Sequence, residues 1–291
     1  MWIWVLITAA AASIAMLGVM VKTSYRYRLD EQTVSFDRLP PAFDGTTLLL
    51  ITDIHRRLVS DEEIERITAA GGADLVLIGG DLRERRVPLA RSRGNIKQLA
   101  RIAPIYMVFG NHDYDEDMRP FEVMLREERV GLLVNESVIL EQRDGSRIRL
   151  AGVDDPRTEK DRLDLALSET EELGGDGKPF TILLAHDPIL AKRMNDGQKQ
   201  EVDLILSGHT HGGQIKLPII GPVWRGTNYS GYSSGWFDCP PREKAGAKGP
   251  RLFVSNGFGT SRLPIRLGAP AQFHRITLRS SAASRRDQDR S

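Results

Sequence analysis

Residues 46–57 read TTLLLITDIHRR, seven uncharged residues that lead into Asp53, His55, Arg56 and Arg57. An apolar run of this length without clean alternation reads as a strand covered on both faces. It finishes in a carboxylate and an imidazole two residues apart, which are metal-ligand types, and two guanidinium groups follow at once.

The same pattern recurs along the chain. Short apolar runs end in glycine or polar clusters at DLVLIGG (74–80), IYMVFG (105–110), IRLAGV (148–153), FTILLA (180–185), DLILSG (203–208) and LFVSNG (252–257). Helical signals lie between several of them. Ser60-Asp61-Glu62-Glu63 is a capping box, Pro120 and Asp187-Pro188 mark starts, and residues 160–173 place leucines among charges at helical spacing. Strands and helices in series predict an α/β domain with helices packed on sheet faces.

Run after run ends in residues able to bind metal: Asp53 and His55, Asp81, Asn111-His112-Asp113, His186, then His209 and His211. Ligands of open α/β sheets sit beyond the carboxyl ends of the strands, so these distant residues are expected to converge. Five of the six histidines lie in these clusters, and His274 alone reads as structural. Asp154-Asp155-Pro156 also ends a run, where capping of the following turn is the simpler reading.

In order, these blocks resemble the signature of the calcineurin-like metallophosphoesterases: DIH (53–55), GD (80–81), GNHD (110–113), His186 and GHTH (208–211). The stretches GHTHGGQIKLP and LFVSNGFGTSRLPIR are similar to a membrane-associated bacterial branch of that family. The resemblance implies a four-layer αββα sandwich. It also implies that Asp53, His55 and His211 hold one metal, that Asn111, His186 and His209 hold another, and that Asp81 bridges them. Carboxylate, imidazole and amide oxygen suit Mn, Fe or Zn. Two such ions about 3.5–4 Å apart would activate a bridging hydroxide for in-line attack on phosphorus. His112 would then assist the leaving oxygen, with Asp113 fixing its tautomer.

Arg56 and Arg57 depart from the neutral residues usual in that family at this point. They either bind a further anionic group of the substrate or pair with Glu84 or Asp61 on a solvated face, and Arg83, Arg85 and Arg86 raise the same question.

Residues 2–21, WIWVLITAAAASIAMLGVMV, carry no charge and match the roughly 20 apolar residues that a bilayer-spanning helix needs. Trp2, Trp4, Tyr25 and Tyr27 flank them as an aromatic belt. A cleaved signal peptide is the rival reading, but no basic segment precedes the apolar stretch. Lys22, Arg26 and Arg28 follow it, which predicts a cytoplasmic catalytic domain. The expected organisation is an anchor at 1–22, a linker at 23–44, a metallophosphoesterase domain at 45–279 and a disordered tail at 280–291. The glycine- and aromatic-rich stretch 224–250 reads as a long loop whose Trp224, Tyr229, Tyr232, Trp236 and Phe237 either touch the membrane interface or fill a gap on the sandwich.

With 40 basic and 39 acidic residues, the net charge of +1 gives no field for nucleic acid. The single cysteine, Cys239, excludes an intrachain disulfide. No protein partner can be inferred. The expected function is a single-pass, membrane-anchored dinuclear phosphoesterase acting on a phosphomonoester or phosphodiester, with a lipid or lipid-linked substrate favoured. A phosphatase or nucleotide phosphodiesterase on a soluble substrate is the alternative enzyme. A non-catalytic membrane scaffold on the same fold is the alternative of another class, and the intact ligand blocks speak against it.

Overall fold

The computed structural model describes residues 1–168, 178–223, 231–242 and 248–282. Strands β1 (Tyr27–Phe36), β2 (Thr47–Ile51), β3 (Leu75–Gly79), β4 (Ile105–Val108) and β5 (Gly131–Leu132) open the first sheet. The chain then builds β6 (Glu136–Glu141), β7 (Arg147–Gly152), β8 (Phe180–Leu184) and β9 (Leu204–Ser207) of a second sheet. A short hairpin of β10 (Lys216–Leu217) and β11 (Gly221–Pro222) intervenes before β12 (Gly235–Asp238) and β13 (Arg251–Val254) complete the second sheet. Strand β14 (Ala271–Ser280) returns to the first. Among the described residues the sheet orders are β1-β14-β2-β3-β4-β5 and β12-β13-β9-β8-β7-β6. Strands β2 to β5 run parallel, as do β7, β8, β9 and β13, so their carboxyl ends share one edge of the sandwich.

Burial on two faces explains why β2 is apolar at consecutive positions. Leu48 and Leu50 pack between the sheets against Ile182, Leu184, Leu204 and Leu206. Leu49 and Ile51 point the other way, toward helices α2 (Asp61–Ala69), α3 (Leu89–Leu99) and α4 (Met118–Glu127), which supply Ile64, Ile96 and Phe121. A third core lies under α5 (Leu163–Ala166) and α6 (Leu190–Arg193) on the outer face of the second sheet. The four αββα layers are therefore present. Each wholly buried leucine or isoleucine contributes about 1.5–3 kcal/mol, so the layers are held chiefly by apolar contact.

The expected linker is not one. Helix α1 (Trp2–Tyr25) gives way after Arg26 to β1, which pairs in parallel with β14 from Tyr27↔Ala271 to Phe36↔Ser280. The polar composition of YRLDEQTVSF reflects an edge strand with one wet face, while Val34 and Phe36 enter the core between the sheets. Ser280, placed in the tail by sequence, is the buried last residue of β14, and residues 283–291 lie outside the described ones. So do Trp224 and Tyr229, and the 169–173 part of the expected helix. Tyr232 and Phe237 pack on the third core and Trp236 on the core between the sheets. His274 is structural as expected, held by Asp30 at 3.0 Å and Ser255 at 3.1 Å.

Helix α1 is the one described helix long and apolar enough to cross a membrane. Its last turns are fastened to the domain. The Arg266 N–H donates to the Met20 carbonyl at 3.0 Å, and the Ser24 hydroxyl donates to the Pro264 carbonyl at 2.8 Å. Arg57 completes the joint, donating to the carbonyls of Ser24 (3.2 Å), Tyr25 (2.9 Å) and Phe258 (3.1 Å) and to Glu63 (3.3 Å). Its guanidinium carbon lies 4.0 Å from the centroid of the Phe258 ring. Arg57→Met leaves Glu63 and three carbonyls short of a donor, and should cost about 3 kcal/mol. Arg57→Lys should fail to rescue it, because an ammonium cannot reproduce the fork. Thermal unfolding of the full chain in detergent reads both; an unchanged melting temperature in Arg57→Met would show that the clamp is idle.

Candidate metal centre

The loops after β2, β3, β4, β8 and β9 meet at the shared sheet edge. Asp53, His55, Asp81, His209 and His211 all take left-handed backbone conformations, with φ of 54°, 52°, 53°, 69° and 50°. Such geometry costs on the order of 1–3 kcal/mol per non-glycine residue and persists only where neighbours over-determine it. They do so here. Asp53 N donates to Gly80 O (3.0 Å), His55 N to Asp81 O (3.0 Å) and Gly208 N to His186 O (2.9 Å). Gly80 and Gly208 are required by close approach: a Cβ on the first would stand 2.6 Å from His186 Nδ1, and on the second 2.6 Å from Asp53 Oδ2.

Two clusters result, Asp53 with His55 and His211, and Asp81 with His186 and His209. Within each, the donor atoms lie within 4.8 Å of one another. His55 Nε2 is 3.2 Å from His211 Nε2, and His186 Nε2 is 3.2 Å from His209 Nδ1. Asp81 Oδ2 stands between the clusters, 3.2 Å from His186 Nε2 and 3.7 Å from His55 Nε2. Asn111 Oδ1 is buried at the same edge without a hydrogen-bond partner, a cost that a cation beside it would remove. Carboxylates, imidazoles and an amide oxygen form a donor set suited to borderline or hard divalent ions, so the residues fit two metals.

An outer ring of contacts orients the imidazoles. His186 Nδ1 meets Gly79 O at 2.8 Å, which leaves Nε2 for the cluster. His55 Nδ1 faces Glu84 Oε2 at 3.2 Å, near enough for ionic attraction although not aligned as a hydrogen bond. His209 Nε2 faces Asp187 Oδ2 at 3.5 Å and also meets Arg157. Arg266, wholly buried, spans Asn256 O (2.8 Å) and Ala269 O (2.9 Å) and reaches His211 Nδ1 at 3.3 Å.

Charge follows the same layout. Burial lowers His209 to about 3, with His186 adding to the effect, and burial with His55 and Arg266 holds His211 well below its ordinary value. Both rings are therefore neutral and able to ligate. At His186, burial is outweighed by Asp81, which raises the ring pKa; at His55, Glu84 and Asp81 do the same. Asp81 remains ionised: burial opposes its charge, but His186 and then His55 hold its pKa well below the usual carboxylate range. The centre thus attracts positive charge.

Three expectations need correction. Asp113 does not touch the His112 ring. It is buried beneath it, accepting N–H bonds from Gly110 (2.9 Å), Asp81 (2.9 Å) and Arg83 (3.1 Å), and burial with the Asp81 charge raises its pKa to about 7. Asp115 takes the expected place, 2.8 Å from His112 Nδ1, because the 3-10 turn Asn111–Tyr114 brings the residue three positions on against the ring. Arg57 is turned from the site into the base of α1. Arg56, by contrast, takes the expected pairing alternative and bonds Glu84 behind His55. Arg83 is likewise internal, bound to the carbonyls of Asp113, Glu116 and Asp117. Asp155 caps the turn at Pro156–Thr158 as expected, accepting from Thr158 N at 2.9 Å.

Glu84, Asp115, Arg157, Asp187 and Arg266 were not singled out as site residues from sequence. From sequence Glu84 enters only as a partner for Arg56 and Arg57, Asp187 only as a helix start, and Arg266 only as part of LFVSNGFGTSRLPIR.

A sandwich with two facing ligand clusters at its strand ends matches the arrangement that the sequence resemblance implies for a metallophosphoesterase. The profile of the calcineurin-like phosphoesterase family matches residues 46–213, and the chain belongs to that family of phosphoric ester hydrolases. It is 36 % identical over 277 residues to the uncharacterised protein YpbG of Bacillus subtilis, covering 94 % of this chain and 95 % of that one. To a protein from Bos taurus described as a transmembrane protein with metallophosphoesterase domain it is 30 % identical, over 85 % of this chain and 56 % of the relative. The fold is similar to that of the NAD nucleotidase NadN of Haemophilus influenzae, with a TM-score of 0.50 at 16 % identity, covering 74 % of this chain and 45 % of that one.

Glu84→Gln keeps the shape but removes the charge behind His55. It should weaken manganese binding about 10–100-fold, read by titrating the metal-stripped full chain. Wild-type affinity in that variant would show that Glu84 does not orient the ligand.

Proposed function

We propose that the chain is a membrane-anchored phosphoesterase with two divalent ions, one held by Asp53, His55 and His211 and the other by Asn111, His186 and His209, with Asp81 shared. The observation that carries this reading is the position of Asp81 Oδ2, 3.2 Å from a histidine of one cluster and 3.7 Å from a histidine of the other. When bound, the ions supply positive charge to the phosphoryl oxygens and make a nearby water acidic enough to attack phosphorus at neutral pH.

The chain's own residues supply position and proton transfer. His112 stands at the mouth, about one-third exposed, with its ring 5.2 Å from that of His55. Asp115 engages Nδ1 and fixes the orientation of the ring, which leaves Nε2 to give a proton to the departing oxygen. Arg157, exposed beside His209, takes the phosphate-clamping role that was one alternative for Arg56 and Arg57, since a guanidinium offers paired donors to phosphoryl oxygens. Asp113 acts by tying the β3 and β4 loops together through their backbone N–H groups.

Helix α1 supports the anchor, and Lys22, Arg26 and Arg28 after it favour a cytoplasmic domain. A lipid or lipid-linked phosphoester is the substrate this arrangement favours. Arg266 bonds the α1 carbonyl at Met20 through its backbone and reaches His211 through its side chain, so the centre is held close to where the helix leaves the bilayer.

Asp81→Ala and His211→Ala should each abolish hydrolysis of an aryl phosphodiester in added manganese, and chelation of wild type should do the same. Activity retained in both variants would refute the site. Rates on a detergent-solubilised lipid phosphoester against soluble nucleotides test the substrate separately; preference for nucleotides would reject the lipid and leave the phosphoesterase standing.

A further inference from the structure

After His211 the chain passes through Gln214 and Ile215 into the β10–β11 hairpin, which has no part in the site above. The hairpin tip is apolar and open to solvent. Ile219 is fully exposed, Ile220 and Val223 are 65 % and 57 % exposed, and Leu263 on the adjacent turn is 60 % exposed. Ile219 has a φ of 68°, a left-handed conformation that β-branched residues avoid, yet it gains no burial from it. An exposed apolar cluster of this kind marks a surface that meets another apolar phase.

The position of the hairpin identifies that phase. A groove of about 600 Å³ separates it from α1, lined by Met16 on the helix and by Lys216, Leu217, Pro218, Ile219 and Leu267 opposite. Met16 precedes Lys22, the first charged residue of α1, by six positions, which is ~9 Å along a helix axis. The hairpin therefore reaches past the charged end of α1 to the level of its apolar stretch. It is also firmly attached. Lys216 N donates to Leu267 O at 2.7 Å, and the Gln214 side chain donates to the Ser261 and Leu263 carbonyls at 3.2 and 3.1 Å and accepts from Ser261 N at 2.9 Å.

We propose that the 216–223 hairpin and Leu263 form a second membrane contact, their apolar tip entering the hydrocarbon edge of the bilayer that α1 crosses. The inference rests on the reading of α1 as membrane-spanning. Ile219, Ile220, Val223 and Leu263 are removed from water by insertion, and Lys216, at the base of the hairpin, lies where an ammonium meets lipid phosphates. Helix and hairpin together are two points of attachment on one rigid body, so they fix how far the metal centre stands from the headgroups.

The test uses the full chain in phosphatidylcholine–phosphatidylglycerol vesicles, with an environment-sensitive fluorophore on single added cysteines. Wild type, whose Cys239 is 2 % exposed, gives the labelling background. Probes at Ile219→Cys and Leu263→Cys should shift to the blue and lose intensity to nitroxide lipids labelled near the headgroup. A probe at Leu165→Cys, on α5, should stay water-like and unquenched, and one at Ile7→Cys reports α1 itself. Water-like emission at 219 and 263 with a quenched probe at 7 overturns the hairpin contact and leaves the anchor; water-like emission at all three overturns both. A blue shift at 219 without lipid quenching assigns the tip to a second copy of the chain, and quenching at 165 as well reduces the effect to adsorption. Either result also overturns the proposal.

Discussion

Asp53 and Asp81 follow adjacent parallel strands and have almost no access to water, and an ionised carboxylate in that setting costs several kcal/mol unless cations or N–H donors face it. The local structure is organised around meeting that cost. His209 N donates to both Asp53 oxygens at 3.1 Å, His112 N donates to Asp81 Oδ1 at 2.8 Å, and the remaining lone pairs face imidazoles. To bring those groups in, five residues hold left-handed backbones and the loops of two different sheets bond to one another. The four-layer sandwich matters to function because it supplies a rigid edge on which such strain can be sustained.

Positive charge in this centre comes from two distances. The imidazoles touch the carboxylates, and beyond them stands a shell of arginines, each engaged in a different way: Arg56 on Glu84, Arg83 under Asp113, Arg157 at His209 and Arg266 behind His211. Arg83 and Arg266 are spent on backbone carbonyls and make the loops stiff. Arg157 stands at the mouth. The contrast follows from burial, because a buried guanidinium must satisfy its donors internally whereas an exposed one can exchange water for a ligand.

The sequence disclosed the convergence of the site because aspartate, asparagine and histidine at the ends of apolar runs are uncommon, and parallel strands place those ends together. The layers were legible for a related reason, since TTLLLIT is explicable only by burial on both faces. What stayed hidden depended on local angles or on a single wet face. Whether Asp113 or Asp115 meets His112 turns on the pitch of one 3-10 turn, and both acids look alike in the string GNHDYD. The two arginines of ITDIHRR are adjacent yet diverge, one toward Glu84 and the other beneath α1, because neighbouring side chains leave a turn in different directions. Strand β1 reads as a linker in the sequence because an edge strand with alternating polar residues resembles a tether.

That strand has a practical consequence for the boundaries of the catalytic unit. The family match begins at residue 46, and a truncation there would look conservative. It would strip β1 from β14, leave the outer edge of ten consecutive residues of the latter without a partner, and uncover the pocket filled by Val34 and Phe36. A long bare edge flanked by apolar residues is a template for intermolecular strand pairing. A fragment that starts at Tyr27 keeps that edge covered.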